Sequence, residues 1–206
     1  MDNLTLPRCI APMLARPGKP FDSAEHLFEV KWDGMRALAY VDGRGYRVLS
    51  RHGNDIPDRF PELGSLAKLP AGTVLDGELV VLCGGKPSFS LLQRRALLCC
   101  PHKIRTLART TPAVYVVFDQ LFDRYRSLMD EPLSTRREVM LKTVGSGQQQ
   151  LIASDGVVGP GRLFYQQVVG EQLEGVVAKR LASRYLPGRR TGAWIKIKPS
   201  MGHRPS

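Results

Sequence analysis

Short apolar runs bounded by Gly, Asp and Pro recur along the chain and predict strands over 27–32, 35–41, 45–50, 73–83, 114–121, 174–180 and 193–198. An Asp-Gly turn within VDGRG (41–45) joins two of them, so 35–50 reads as a hairpin. Helical spacing appears at 88–98, 134–144 and 161–170. The second of these carries Thr135-x-x-Glu138, a capping-box pattern, ahead of VMLKTVG. GSGQQQ (145–150) is a short polar loop, and the chain holds no internal repeat. Strands that arrive in hairpins with helices between them predict an α+β fold, antiparallel sheets flanked by helices, and not a parallel α/β sheet.

Polar positions interrupt this pattern in a regular way. In TGAWIKIK, Trp194, Lys196 and Lys198 share one strand face, and Ile195 and Ile197 share the other. Two lysines on one face repel unless an anion lies between them, although a solvated edge guarded by lysines explains them equally well. Asp76 and Glu78 share a face of TVLDGELVVL, either as a hairpin rim or as a site for a hydroxyl or a metal ion. Within EVKWDGMRAL, Lys31, Asp33 and Arg36 surround a glycine, as a solvated hairpin edge or as a nucleophile with its supporting charges. Charges also close other apolar runs, at Arg51, Asp119, Glu174 and Lys179. So many charged strand ends predict one polar cleft lined by them.

The 206 residues suffice for one sizeable core or two small ones. A 43% hydrophobic content with seven Phe and six Tyr predicts a folded globule. Thirty Lys and Arg against nineteen Asp and Glu give a net charge of +11, which points to a polyanionic partner or to charge-based solubility. No apolar run reaches the ~18 residues of a membrane span, and the first twenty residues lack a signal-peptide core. A cytoplasmic protein with no membrane partner is expected. Cys9, Cys83, Cys99 and Cys100 lack CxxC spacing and read as buried, reduced thiols. His26, His52, His102 and His203 form no zinc-binding pattern, and the chain has neither a GxxxxGK[ST] loop nor a GxGxxG after a strand.

Six motifs then follow in order: Lys31-x-Asp33-Gly34-x-Arg36, Ser50-Arg51-His52-Gly53, Leu75-Asp76-Gly77-Glu78-Leu79, Phe118-Asp119-Gln120-Leu121, Glu174-Gly175-Val176-Val177-Ala178-Lys179 and Trp194-Ile195-Lys196-Ile197-Lys198. Together they resemble the covalent nucleotidyltransferases: ATP-dependent DNA ligases, RNA ligases and mRNA capping enzymes. The resemblance covers about residues 10–199. Pro12-Met13-Leu14-Ala15, Lys31-Trp32-Asp33-Gly34 and Tyr185-x-Pro187-Gly188-Arg189-Arg190 bring it nearest to DNA ligases of the bacterial end-joining type. An RNA ligase or capping-type enzyme is one alternative, and a nucleotide- or nick-binding module that retains the fold but turns over little without an OB-fold domain is the alternative of another functional class.

The resemblance implies the covalent nucleotidyltransferase (ATP-grasp-like) fold and a lysyl-AMP intermediate whose AMP passes to the 5′-phosphate of nicked double-stranded DNA. Lys31 is then the nucleophile, and Arg36, Lys196 and Lys198 are the cations expected to ease its deprotonation and to neutralise phosphate. Phe118 is implied to stack on adenine, unless it is plain core, with Glu29 reading the base. Glu78 and Arg36 are implied to contact ribose, Arg51 the DNA 5′-phosphate, and Asp33 to assist nick closure. Glu78 and Glu174 are implied to bring in Mg²⁺ or Mn²⁺ beside ATP. The family continues into an OB-fold domain, and no barrel pattern follows Lys198, so residues 1–206 are expected to be an adenylation domain with the OB-fold domain absent from the chain. A monomer at the bacterial nucleoid, with end-joining repair proteins as further partners, completes the expectation.

Overall fold

A computed structural model describes residues 5–56, 59–145 and 150–199. Its strands are β1 (Leu14–Pro17), β2 (Ser23–Val30), β3 (Met35–Asp42), β4 (Gly45–Ser50), β5 (Thr73–Cys83), β6 (Lys86–Pro87), β7 (Ala113–Asp123), β8 (Arg126–Ser127), β9 (Leu151–Ala153), β10 (Gly156–Gly159), β11 (Val176–Arg180) and β12 (Arg190–Ile197). The helices are α1 (Phe89–Ala96), α2 (Pro101–Thr110), α3 (Leu133–Val144) and α4 (Gly161–Gly170), with a 3₁₀ segment at Pro61–Lys68. One sheet runs β1-β12-β11-β2-β10, and the other runs β4-β3-β5-β7-β8 with β6 and β9 attached to β5 and β7. The antiparallel α+β expectation holds, with two exceptions at sheet margins: β1 pairs with β12, and β9 with β7, in parallel.

Alternation along the central strands sorts side chains between two layers. Ala37, Ala39 and Val41 of β3, with Leu75, Leu79 and Val81 of β5, join Leu63, Leu66, Leu92 and Met140 in a core on the helical side of the sheet. From the opposite face, Leu38, Tyr40, Val74 and Phe118 meet Trp194 of the other sheet, together with Met13 and Tyr185. The far side of that other sheet buries Phe28, Val176 and Ile197 against α4 residues such as Val168. The two sheets therefore face each other, and polar residues on the facing strands enter the gap between them.

A β-bulge sets the detail of this gap. In the β5–β7 pairing, Asp76 lies opposite Asp119 and Gly77 opposite Val117, which leaves Phe118 unpaired. The extra residue turns the consecutive Phe118 and Asp119 toward the same face. Gly77 is required here, because a Cβ would lie 2.5 Å from the Val116 carbonyl oxygen.

Several expectations change. The strand predicted at 27–32 ends at Val30, and residues 31–34 form a loop before β3. Its entry is tied by the Lys31 N–H to the Gly175 carbonyl (2.8 Å). A Cβ on Gly34 would lie 2.1 Å from the Leu79 carbonyl oxygen, so only glycine lets this loop lie flat on β5. Thr135 and Glu138 do not cap a helix: α3 begins earlier, after Pro132, with no side-chain cap. The helix predicted at 88–98 is the shorter α1, and α2 follows it where no helix was expected. All four cysteines are exposed and unbridged, not buried, because Cys9 lies in the segment before β1, Cys83 ends β5, and Cys99 and Cys100 lie in the α1–α2 connection. His203 and residues 146–149 of the predicted polar loop lie outside the described residues. Among the described residues no helix is long and apolar enough to cross a membrane.

Candidate active site

Between the sheets lies a cavity of about 230 Å³ lined by Glu29, Lys31, Arg36, Arg51, Glu78, Phe118 and Lys196 of the predicted site. Trp32, Ser154, Lys179 and Trp194 line it as well. The predicted cleft of charged strand ends is therefore present, although Asp76 and Asp119 are buried behind it in ion pairs.

Lys31 stands in the β2–β3 loop at the wall of this cleft. Its Nζ donates to Glu174 Oε2 at 2.5 Å, and the second Glu174 oxygen lies 2.5 Å from Lys198 Nζ. Glu174 thus bridges the first and last motifs. The expected crowd of cations around Lys31 is not what the site presents: its nearest charged partner is a carboxylate. Arg36 is engaged elsewhere, and Lys198 is held by Glu174 itself. Among the described residues Lys196 lines the cleft with no ion pair, and so does Arg51, which is exposed there.

Arg36 is the anchor of the cleft floor. Its guanidinium forms a bidentate pair with Asp76, both contacts 2.6 Å, and also donates to the Met13 carbonyl at 3.3 Å. The Tyr185 hydroxyl donates to the same Asp76 at 2.7 Å and accepts from the Met13 N–H at 2.9 Å. Burial opposes the Arg36 charge, but Asp76 more than compensates and holds the group protonated. The guanidinium carbon lies 4.6 Å from the Phe118 ring centroid, and Trp194 meets that ring edge-on at 6.1 Å. Phe118 is at once a core residue and a wall of the cleft.

Glu29, on β2, is almost completely buried. Arg137 Nη1 donates to its Oε1 at 2.9 Å, and Lys179 Nζ forms an ion pair with Oε2 at 2.5 Å, off the hydrogen-bond axis. Lys179 also lies 4.0 Å from the Phe118 ring centroid. Burial lowers the Lys179 pKa, against the raising influence of Glu29 and Asp119. Asp119 is held in turn by Arg136 through two hydrogen bonds of 2.8 Å, with both side chains fully buried. Consecutive arginines of α3 therefore grip two acids on either side of Lys179. Arg137, Ser154 and Tyr185 were not among the predicted site residues. Nothing in RREV separates Arg136 and Arg137 from ordinary helix-surface arginines.

Glu78 shares the cleft face with Asp76, as predicted, but makes no hydrogen bond or ion pair among the described residues. Burial pushes it up to about 7, an effect that Arg36 and Lys31 only partly offset. Asp33, two residues after Lys31, is raised by burial and by Glu174, against Lys31 and Lys198. Among the described residues no three His, Cys, Asp or Glu side chains converge as a ready metal cage. A Mg²⁺ ion needs only one or two protein carboxylates when substrate phosphates supply the rest. The unpartnered Glu78 fits that demand. Glu174 fits it on releasing a lysine.

The family model described as the ATP dependent DNA ligase domain matches residues 12–198. The chain belongs to this family. It is 31% identical over 191 residues to the SPbeta prophage-derived DNA ligase-like protein LigB of Bacillus subtilis, covering 91% of this chain and 67% of that protein. It is 36% identical over 197 residues to the multifunctional non-homologous end joining protein LigD of Mycolicibacterium smegmatis, covering 93% of this chain but 24% of that protein. The solved structure of a mycobacterial DNA ligase D complexed with ATP and MES superposes with a TM-score of 0.77 at 34% identity, over 92% of this chain and 60% of that one. The chain thus carries the nucleotidyltransferase fold of ATP-dependent DNA ligases and spans between a quarter and two thirds of these relatives' lengths.

Proposed function

We propose that this chain is the adenylation domain of an ATP-dependent DNA ligase, with Lys31 as the residue that carries AMP. The observation that carries the reading is the position of Lys31: its amine lines the cleft between the sheets, 2.5 Å from Glu174 and on the same cavity as Arg36, Glu78 and Lys196. In the first step the neutral amine attacks the α-phosphorus of ATP. An N–P bond forms, the α–β anhydride bond breaks, and pyrophosphate leaves. Glu174 Oε2 is the nearest acceptor for the amine's proton. In the second step an oxygen of the nick's 5′-phosphate attacks the same phosphorus, and Lys31 leaves as the amine and is reprotonated. The 3′-hydroxyl then displaces AMP to close the strand.

The residues divide as their surroundings suggest. Phe118 and Glu29 hold adenine, Arg36 and Glu78 the ribose, Lys196 and Lys198 the phosphates, and exposed Arg51 the DNA 5′-phosphate. Asp33, whose pKa burial and Glu174 raise, assists the final step. Glu78 and Glu174 would hold a divalent ion whose charge screens the polyphosphate. The +11 charge suits a DNA partner, and the LigD relatives make end-joining repair the pathway we favour.

Intact mass spectrometry after incubation with ATP and Mg²⁺ tests the reading. One added adenylyl group, removed by pyrophosphate and transferred to nicked DNA, is expected. A chain that stays unmodified would refute it.

A further inference from the structure

Arg137 belongs to none of the six motifs, yet from α3 it reaches the deepest acid of the cleft. One Nη donates to Glu29 at 2.9 Å and the other to the Ser154 carbonyl at 2.7 Å. Ser154 lines the same cavity, and its N–H donates to the Val117 carbonyl at 2.6 Å, one residue before the Phe118 bulge. The arginine therefore ties Glu29 on one sheet to the strand that carries Phe118 on the other. With Lys179 on its second oxygen, the Glu29 carboxylate is gripped from two sides at 1% exposure.

We infer that Arg137 is a positioning residue: it holds the Glu29 carboxylate in one orientation toward the base and thereby sets the choice of adenine over guanine in this cleft. The inference rests on the role proposed above for Glu29. Adenine carries an amino group at C6, which donates to a carboxylate. Guanine carries a carbonyl there, whose lone pairs a carboxylate repels. That discrimination disappears if the carboxylate swings out of line with C6, because neither the attraction nor the repulsion is then aimed at the base. A buried carboxylate deprived of its arginine loses the contact that fixes its orientation. Lys179 alone is a weak substitute, since burial disfavours its own charge.

The experiment measures the efficiency of lysyl-nucleotide formation with ATP and with GTP in the wild-type chain, R137A, R137K, E29Q and R137A/E29Q. The expected result is a fall in the ATP:GTP ratio of tenfold or more in R137A, partly restored in R137K. In E29Q the ratio also falls, and adding R137A changes it no further. Equal slowing of both nucleotides by R137A, with the ratio kept while E29Q alters it, would reduce Arg137 to a scaffold residue and overturn the inference. A ratio unmoved by E29Q as well would remove the proposed role of Glu29, and the inference with it.

Discussion

Lys31 and Glu174, separated by 143 positions in sequence, meet at 2.5 Å at the wall of the cleft. The pairing joins the loop after β2 to the residues just before β11, and Lys198 binds the second oxygen of the same acid. Two of the three charges here are lysines to which we assign phosphate chemistry, and Glu174 holds both. Replacing it by Ala should slow lysyl-AMP formation by about 10²-fold, the usual scale for lost positioning. Single-turnover labelling with ATP measures this. A rate within twofold of wild type would show that the ion pair is incidental.

Covalent AMP should map to Lys31 alone. Lys31→Ala is expected to abolish the adduct while leaving ATP binding detectable, because Phe118, Glu29 and Lys196 remain. Peptide mapping by mass spectrometry decides the matter. An adduct on Lys196 or Lys198 would reassign the nucleophile.

Stability should fall as pH rises through the titration of Glu78. Its folded pKa of about 7 lies above the ordinary 4.5, so between these values the folded state keeps a proton that the unfolded chain has released. Unfolding free energy therefore decreases from pH ~4.5 to ~7, by at most about 3 kcal/mol. Glu78→Gln should flatten most of that slope, leaving the smaller contribution of Asp33, which is shifted in the same direction. Urea unfolding at a series of pH values is the measurement, and a slope unchanged in the variant would contradict the assignment.

Removing Arg136 should be severe. Asp119 is fully buried, and its bidentate partner also donates to the Glu131 carbonyl at 2.7 Å and the Ser183 carbonyl at 2.8 Å. Arg136→Met strands a buried carboxylate and is expected to destabilise by about 3–5 kcal/mol, whereas pairing it with Asp119→Asn should recover part of the loss. Chemical denaturation of the two variants provides the comparison.

Thiol counting checks the exposed cysteines directly. Cys9, Cys83, Cys99 and Cys100 should all react with a thiol reagent in the native state, without denaturant. A native count below four would restore the buried-thiol expectation.

Much of the site was legible in the chain because it depends on local order. Strand alternation placed Trp194 and Lys196 on the cleft face and Ile197 in the core, and the motif spacing picked out Lys31, Glu78 and Glu174. Such periodicity is a property of consecutive residues, so it survives without knowledge of partners. The same reasoning missed the start of α3 and the exposure of the cysteines. It also missed Arg137, whose neighbours in RREV carry no mark of the acid 108 residues away.

Sequence by itself thus determined which strands carry charge, which faces those charges take within a strand, and the family to which the chain belongs. Only the tertiary structure decided who pairs with whom. Arg36 goes to Asp76 and not toward Lys31, because β3 and β5 pair with Leu38 opposite Asp76 and Arg36 opposite Glu78, which leaves the guanidinium free to reach diagonally. Phe118 and Asp119 share a face only because a bulge opposite the Asp76–Gly77 step breaks the strand's alternation. Ion-pair choice depends on sheet register and on distances between residues a hundred positions apart. Both are set by how the whole core packs, and no local pattern encodes them.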